Sequence, residues 1–194
     1  YKNVYAFITP SEFLKKKLSL NGFEEKRIHC IPTFTASKTT IGKQQIGSYG
    51  LYFGRVTEEK GVETVIKAYE KLPEYTVKIM GDDTTDEAKR LKKYVENHKM
   101  KNVEFLGFKS GAELENVIKG ARFTLIPSIW YDNLPNTALE SFQYSKPVIA
   151  SNIGSLPELV IDGENGYLFK PSNVEDLIKK IKMLDDDTLS LIHI

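Results

Sequence analysis

From residue 49 onward the chain alternates short apolar runs with amphipathic stretches, joined by short connections. Residues 49–53 form one such run, and Val62, Val65, Ile66 and Tyr69 follow at helical spacing. Residues 75–80 precede a helix marked by Ala88, Leu91 and Val95; residues 103–106 precede one marked by Leu114, Val117 and Ile118. Residues 123–126 lead to a helix whose inward face carries Ala138, Leu139 and Phe142. Residues 147–150 and 166–169 supply two more strands, and Ser172 with Glu175 frames a capping box. Val174, Leu177, Ile178, Ile181 and Leu184 then line a last helix. A helix that crosses over between strands returns the chain to the end it started from, so the strands run parallel. The pattern predicts an α/β, Rossmann-like parallel sheet with helices on both faces. Neither an internal repeat nor a low-complexity tract interrupts it.

Ahead of this unit, residues 4–8 and 27–32 read as two strands around a helix striped by Phe13, Leu14 and Leu18. Thr9-Pro10-Ser11-Glu12 supplies its start, with Thr9 as N-cap and Pro10 at the first helical position; Asn21-Gly22 stops it. Residues 33–47 are small, polar and without period, which is a linker pattern. The expected division is 1–45, the end of a preceding domain plus linker, and 46–194, a second domain. The sequence begins inside a strand without Met, and its tail LSLIHI breaks the preceding pattern. The chain therefore reads as a piece cut at both ends, with a foreign tail. Lys plus Arg total 27 against 26 Asp plus Glu, which gives no whole-chain attraction to nucleic acid or an anionic bilayer. Cys30 is the single cysteine, which excludes an intrachain disulfide and suits a reducing, cytoplasmic compartment. The sequence holds no apolar run of membrane-spanning length and no signal-peptide pattern.

Ligands of open parallel sheets bind beyond the carboxyl ends of the strands, so the residues just after each strand are the candidates. After the first strand of the second unit comes Gly54-Arg55-Val56-Thr57-Glu58-Glu59-Lys60-Gly61. Two cations at a helix mouth suit a diphosphate; equally, Arg55 and Lys60 are placed to pair with Glu58, Glu59 or solvent. The dinucleotide fingerprint G-x-G-x-x-G and the P-loop are both absent, which disfavours a nicotinamide enzyme or a P-loop ATPase. The segment SIWYDNLPNTALESFQYSKPVIAS carries Asp132 in a loop and Glu140 eight positions on, inside a helix begun at Pro135. Between them lie the N–H groups of Leu134, Asn136 and Thr137. Acid, amide donors and acid can hold hydroxyls, phosphate and hydroxyls in turn; the plainer reading is one acid at a helix start and one in solvent. Asp82-Asp83 reads as loop and helix start rather than a metal site, and His29, His98 and His193 are too scattered to be a ligand set. Lys15-Lys16-Lys17 reads as a solvated helix face rather than a membrane patch, and Trp130 and Tyr131 as core or loop packing rather than a cover over a ligand.

Taken in order, GRVTEEKGVETVIKAYEKL, KIMGDD, NVEFLGF and IPSIWYDNLPNTALESFQYSKPVIASNIGSLPELVIDGENGYLF resemble the retaining group-1 (family 4) glycosyltransferases of GT-B architecture. The resemblance covers residues 49 to 184; PSEFLKKKL and IHCIP resemble the end of the N-terminal half of such enzymes. It implies sugar transfer, with retention, from a UDP-, GDP- or ADP-sugar to a carbohydrate or lipid-linked acceptor, in glycan or polysaccharide biosynthesis. It implies Arg55 and Lys60 on the donor diphosphate, Asp132 on the donor sugar and Glu140 on the ribose. It also puts Gly54, Asn133, Leu134, Asn136 and Thr137 around the phosphates and Gly107 and Phe108 at the nucleobase. The first acid of the E-x7-E pair is Asp here, one methylene shorter than the family's Glu. Gly154 and Glu158 match a G-x-x-P-E run and are expected to be a turn and a helix cap. The resemblance further implies no metal or other cofactor and no nucleic-acid partner. It places the protein in the cytoplasm or at the cytoplasmic membrane face, with any bilayer contact made through a missing N-terminal half. A chain lacking that half is expected to bind donor weakly and transfer nothing. The competing readings are a nucleotide-sugar-binding module without transfer, and a GT-B-like epimerase or phosphorylase.

Overall fold

The structure, a computed structural model, describes residues 3–34 and 47–186. The first segment holds β1 (Phe7–Thr9), α1 (Glu12–Leu20), a 3-10 turn at Glu25–Arg27 and β2 (Ile28–Cys30), with β1 and β2 parallel. The second holds β3 (Tyr49–Phe53), a 3-10 turn at Glu58–Lys60, α2 (Val62–Glu70), β4 (Val77–Met80), α3 (Asp86–Asn97), β5 (Val103–Gly107) and α4 (Gly111–Gly120). It continues through β6 (Ala121–Ile126), α5 (Asn136–Gln143), β7 (Val148–Ser151), α6 (Leu156–Leu159), β8 (Gly166–Phe169) and α7 (Val174–Asp186). The linker expected over residues 33–47 and the tail expected to be foreign lie almost wholly outside the described residues.

The second segment forms a six-stranded, all-parallel sheet ordered β5-β4-β3-β6-β7-β8. Successive side chains of a strand point to opposite faces. In β3, Tyr52 therefore joins one core with α2, α3 and α7, while Leu51 and Phe53 join another under α4. Ala138 of α5 and Leu156 of α6 pack with Val148 and Ala150 of β7 in a third cluster. Strand order thus reverses between β3 and β6, and the helices that follow these two strands join different cores. That is the condition for a crevice at the carboxyl ends of the strands. The order is that of dinucleotide-binding sheets, although the glycine fingerprint is missing.

At α1 and α7 the capping residue differs from expectation. Ser11, not Thr9, caps α1: its Oγ accepts from Leu14 N at 3.2 Å. Pro10 therefore precedes the helix, and Glu12 is its first residue. At α7 the cap is Asn173, whose Oδ1 accepts from Asp176 N at 2.9 Å, while Glu175 pairs with Lys71 of the α2 end. Both shifts have one cause. Where several Ser, Thr or Asn residues are adjacent, spacing alone does not select the one whose backbone stays extended while its oxygen reaches the third amide.

The two segments meet at a second cap. Glu158 of α6 accepts from the N–H groups of Glu12 (2.9 Å) and Phe13 (2.6 Å), two otherwise orphaned donors of α1. The expected capping role holds, but the capped helix is 145 residues away in sequence. Beside it, the Phe13 ring meets the Tyr131 ring at 5.1 Å and Lys17 Nζ lies 4.9 Å from the Tyr131 ring centre. None of the described helices is long and apolar enough to cross a membrane. Replacing Glu158 by Ala removes two charge-assisted hydrogen bonds and should lower unfolding free energy by about 1–2 kcal/mol, read as an earlier urea midpoint. An unchanged midpoint would show that the contact contributes nothing.

Candidate functional site

The crevice is built by two loops. The loop after β3 runs from Gly54 through Arg55 to the turn Glu58–Lys60 and then Gly61, which opens α2. Gly61 has φ +67°, and a Cβ there would stand 2.1 Å from the carbonyl oxygen of Pro127, so only glycine lets the two loops approach. Ile129 N donates to Glu59 O at 3.0 Å, a second stitch between them. The loop after β6, residues 127–135, is backed from the other side by Gly154 and Ser155. Ser155 Oγ donates to the Asp132 carbonyl at 2.8 Å, and Gly154 (φ +65°) leaves room for that carbonyl, which a Cβ would approach to 3.1 Å.

Beside these loops, at the carboxyl ends of β3, β4 and β5, lies a cavity of about 330 Å³. Phe53, Gly54 and Arg55 line it from the end of β3, Met80, Gly81 and Asp82 from the end of β4, Phe108 and Lys109 from the β5–α4 connection, Leu114 from α4, and Thr137 and Glu140 from α5. Gly54, Arg55, Phe108, Thr137 and Glu140, all singled out by sequence, share this one cavity. Gly107 (φ +68°) ends β5 and turns the chain into Phe108, which is 73% exposed. Asn133 and Asn136 are exposed, and Leu134 is half-buried, along the approach to α5. Pro135 is the N-cap of α5 rather than its first residue. Ala138 N donates to the Pro135 carbonyl, whereas the N–H groups of Asn136 and Thr137 find no acceptor among the described residues. They form a partly positive helix terminus at the cavity's edge.

Lys60 and Asp132 lie off the cavity's lining and meet each other. Lys60 Nζ is 2.6 Å from Asp132 Oδ1, both side chains are 20% exposed, and Ser128 Oγ donates to Asp132 Oδ2 at 2.6 Å. Arg55 is 73% exposed, and its guanidinium approaches Glu59 only to 3.8 Å. Of the two alternatives left open by spacing, Lys60 thus has an acid partner, but it is Asp132 rather than Glu58 or Glu59. Arg55 keeps most of its hydrogen-bonding capacity for solvent or a ligand.

Glu140 differs from every other acid of the region. It is half-buried on α5, burial raises its pKa, and its carboxylate has no hydrogen-bond or ion-pair partner among the described residues. It is not a solvated acid on a helix surface. Asp82 and Asp83 pair locally, Asp82 with Thr84, whose hydrogen bonds lower its pKa, and Asp83 with Lys92. Trp130, expected to pack, is 68% exposed; only its neighbour Tyr131 packs, against Phe13. The sequence pattern does not mark Phe53, Met80, Asp82, Lys109 and Leu114 as cavity residues. Met80 and Asp82 flank the end of a predicted strand, so the strand-end rule reaches them. Leu114 was assigned to a helix's core face, and periodicity does not separate a residue facing the core from one facing a crevice.

Residues 37–190 match the family model of group 1 glycosyl transferases. Uncharacterized glycosyltransferase MJ1178 of Methanocaldococcus jannaschii is 34% identical over 134 residues, 69% of this chain and 37% of its own length. The glycogen synthase of Mycobacterium tuberculosis is 30% identical over 163 residues, 79% of this chain and 37% of its own length. The chain thus spans less than half the length of these curated relatives. Among solved structures, Anabaena Alr3699/HepE in complex with UDP superposes with a TM-score of 0.87 at 22% identity, covering 97% of this chain and 56% of that one. Sucrose-phosphate synthase (tll1590) from Thermosynechococcus elongatus gives 0.84 at 24% identity, covering 98% and 52%. These superpositions show the fold; the family-model match over most of the sequence shows that the chain belongs to the group 1 glycosyl transferases.

Proposed function

We propose that this chain binds the donor in a retaining glycosyl transfer from a nucleotide-diphosphate sugar to an acceptor hydroxyl, in glycan or polysaccharide assembly. The observation that carries the reading is Glu140. An unpartnered, half-buried carboxylate opposes folding unless a ligand uses it, and such groups cluster at functional sites. Behind the cavity it is placed to accept both hydroxyls of a ribose, as a carboxylate accepts from a vicinal diol. In this reading the base lies over Gly107 and Phe108, and the diphosphate lies near Gly54, Arg55, Lys60 and the free amides of Asn136 and Thr137. The crystallised neighbour Alr3699/HepE holds UDP, and in a further structure UDP-glucose, on the same fold, which supports a nucleotide-sugar donor here.

The chemistry follows from charge. Breaking the bond between the anomeric carbon and the diphosphate oxygen leaves negative charge on the departing nucleotide. A guanidinium, an ammonium and a helix terminus fixed beside it stabilise that charge without solvent reorganising. These groups take the part of a divalent metal in this reading, so donor binding should survive chelation with EDTA; loss of binding with EDTA would refute it. Acceptors are carbohydrate or lipid-linked hydroxyls, and the protein works in the cytoplasm or at the cytoplasmic membrane face.

Isothermal titration with UDP, GDP and ADP tests the ribose role. Glu140→Ala should weaken the preferred diphosphate by about 1.5–3 kcal/mol, through lost hydrogen bonds to a charged group. Equal affinity in wild type and variant would end the reading. A pH test follows from the raised pKa. Folding favours the protonated acid, so Glu140's contribution to stability is fully present below the ordinary carboxylate range. That contribution is lost as pH rises through its higher folded value. Glu140→Gln, neutral throughout, should therefore gain stability over wild type as pH rises from about 4 to about 7. A stability difference that does not change with pH would mean that burial leaves this acid unperturbed.

A further inference from the structure

Both oxygens of the Asp132 carboxylate are engaged. Oδ1 accepts from Lys60 Nζ and Oδ2 from Ser128 Oγ, each at 2.6 Å. Its main-chain oxygen accepts from Ser155 Oγ at 2.8 Å and from Ser155 N at 3.4 Å. Gly154 presses against the same peptide, where a Cβ would lie 3.3 Å from Asp132 N. Asp132 is thus fixed at both ends, and a ligand hydroxyl would meet a carboxylate whose two oxygens already accept from Lys60 and Ser128. Lys60 stands in the opposite condition. Its backbone is set by the 3-10 turn, with Lys60 N donating to Thr57 O and Gly61 N to Glu58 O. Its four-carbon stem has several rotatable bonds, and Asp132 is the one side chain its ammonium meets among the described residues.

We propose that Asp132 is a positioning residue that holds the Lys60 ammonium in place for the donor diphosphate, and does not itself grip the donor sugar. The proposal rests on the donor-site reading above. An ammonium has three N–H donors; one goes to Asp132, and two remain for phosphate oxygens. The short side chain suits this task. Asp keeps its carboxylate close to its own backbone, which Ser155 and Gly154 hold still, so the position of Lys60 inherits the rigidity of the β6–α5 loop. A residue one methylene longer would carry its oxygens out of that frame. The departure from the family's acid pair thus becomes a change of role, from sugar contact to cation placement.

The test uses a ligand with no sugar. Whichever of UDP, GDP or ADP the wild-type chain binds is titrated into Asp132→Ala, Asp132→Asn, Lys60→Ala and the double variant Lys60→Ala/Asp132→Ala. Asp132→Ala should weaken diphosphate binding roughly tenfold, and the double variant should bind no worse than Lys60→Ala alone, because the acid acts only through the lysine. Asp132→Asn, whose amide oxygen still accepts from the ammonium, should keep most of the affinity. Should Asp132→Ala fail to fold, Ser128→Ala releases one carboxylate oxygen more gently, and its loss should likewise vanish in the Lys60→Ala background. The opposite result is an Asp132→Ala or Ser128→Ala chain that binds the diphosphate as wild type does and loses affinity only for the sugar-bearing donor. That result overturns the positioning role and leaves the donor site standing. A wild-type chain that binds none of the three diphosphates refutes the donor site itself, and the proposal with it.

Discussion

The site depends on the hydrogen-bonded pairing of β3 with β6. Every other strand neighbour in the sheet belongs to the regular progression outward, β4 then β5 on one side, β7 then β8 on the other. At the centre the progression reverses, and the chain leaving β3 and the chain leaving β6 diverge to helices in different cores. Nothing fills the gap between them from within the sheet, so a crevice opens at that point. The requirement on sequence is then narrow. The two loops must come close enough to act together without closing the gap.

Two glycines and one ion pair meet that requirement. Gly61 admits the carbonyl of Pro127, Gly154 admits that of Asp132, and Lys60 with Asp132 bridges the loops. The pair is only one-fifth exposed, so solvent and salt weaken it less than an exposed pair such as Lys26 with Glu24. The same frame extends to the first segment. Glu158 lies a single turn beyond Ser155 and caps α1, so the loop that carries Asp132 and the helix before β2 share one support.

Much of this was legible in the residues. Alternating strand and helix patterns fixed the fold class, and β3 and β8 have the predicted limits. The strand-end rule brought Gly54, Arg55, Phe108 and Glu140 to one cavity because parallel strands all present the same end to it. What stayed hidden depends on distances through space. The partner of Lys60 is 72 residues away, and the helix capped by Glu158 is 145 residues away, so neither has a local spacing. Thr9 and Ser11, or Ser172 and Asn173, are equivalent as capping chemistries, and only the hydrogen bonds to Leu14 N and Asp176 N distinguish them. Trp130 is hidden for a similar reason: an aromatic beside an apolar run reads as packed until the loop's path is known, and here it is exposed.

The proposed donor site puts nucleotide phosphates where the loops after β3 and β6 converge. A titration of the 15N-labelled chain with a nucleoside diphosphate, followed through backbone amide and arginine Nε resonances, measures this directly. The amides of Gly54, Asn136 and Thr137 and the Nε of Arg55 should shift together, with one saturation curve. Shifts confined to the opposite end of the sheet, around Thr76 and Arg122, with those four signals unmoved, would contradict it.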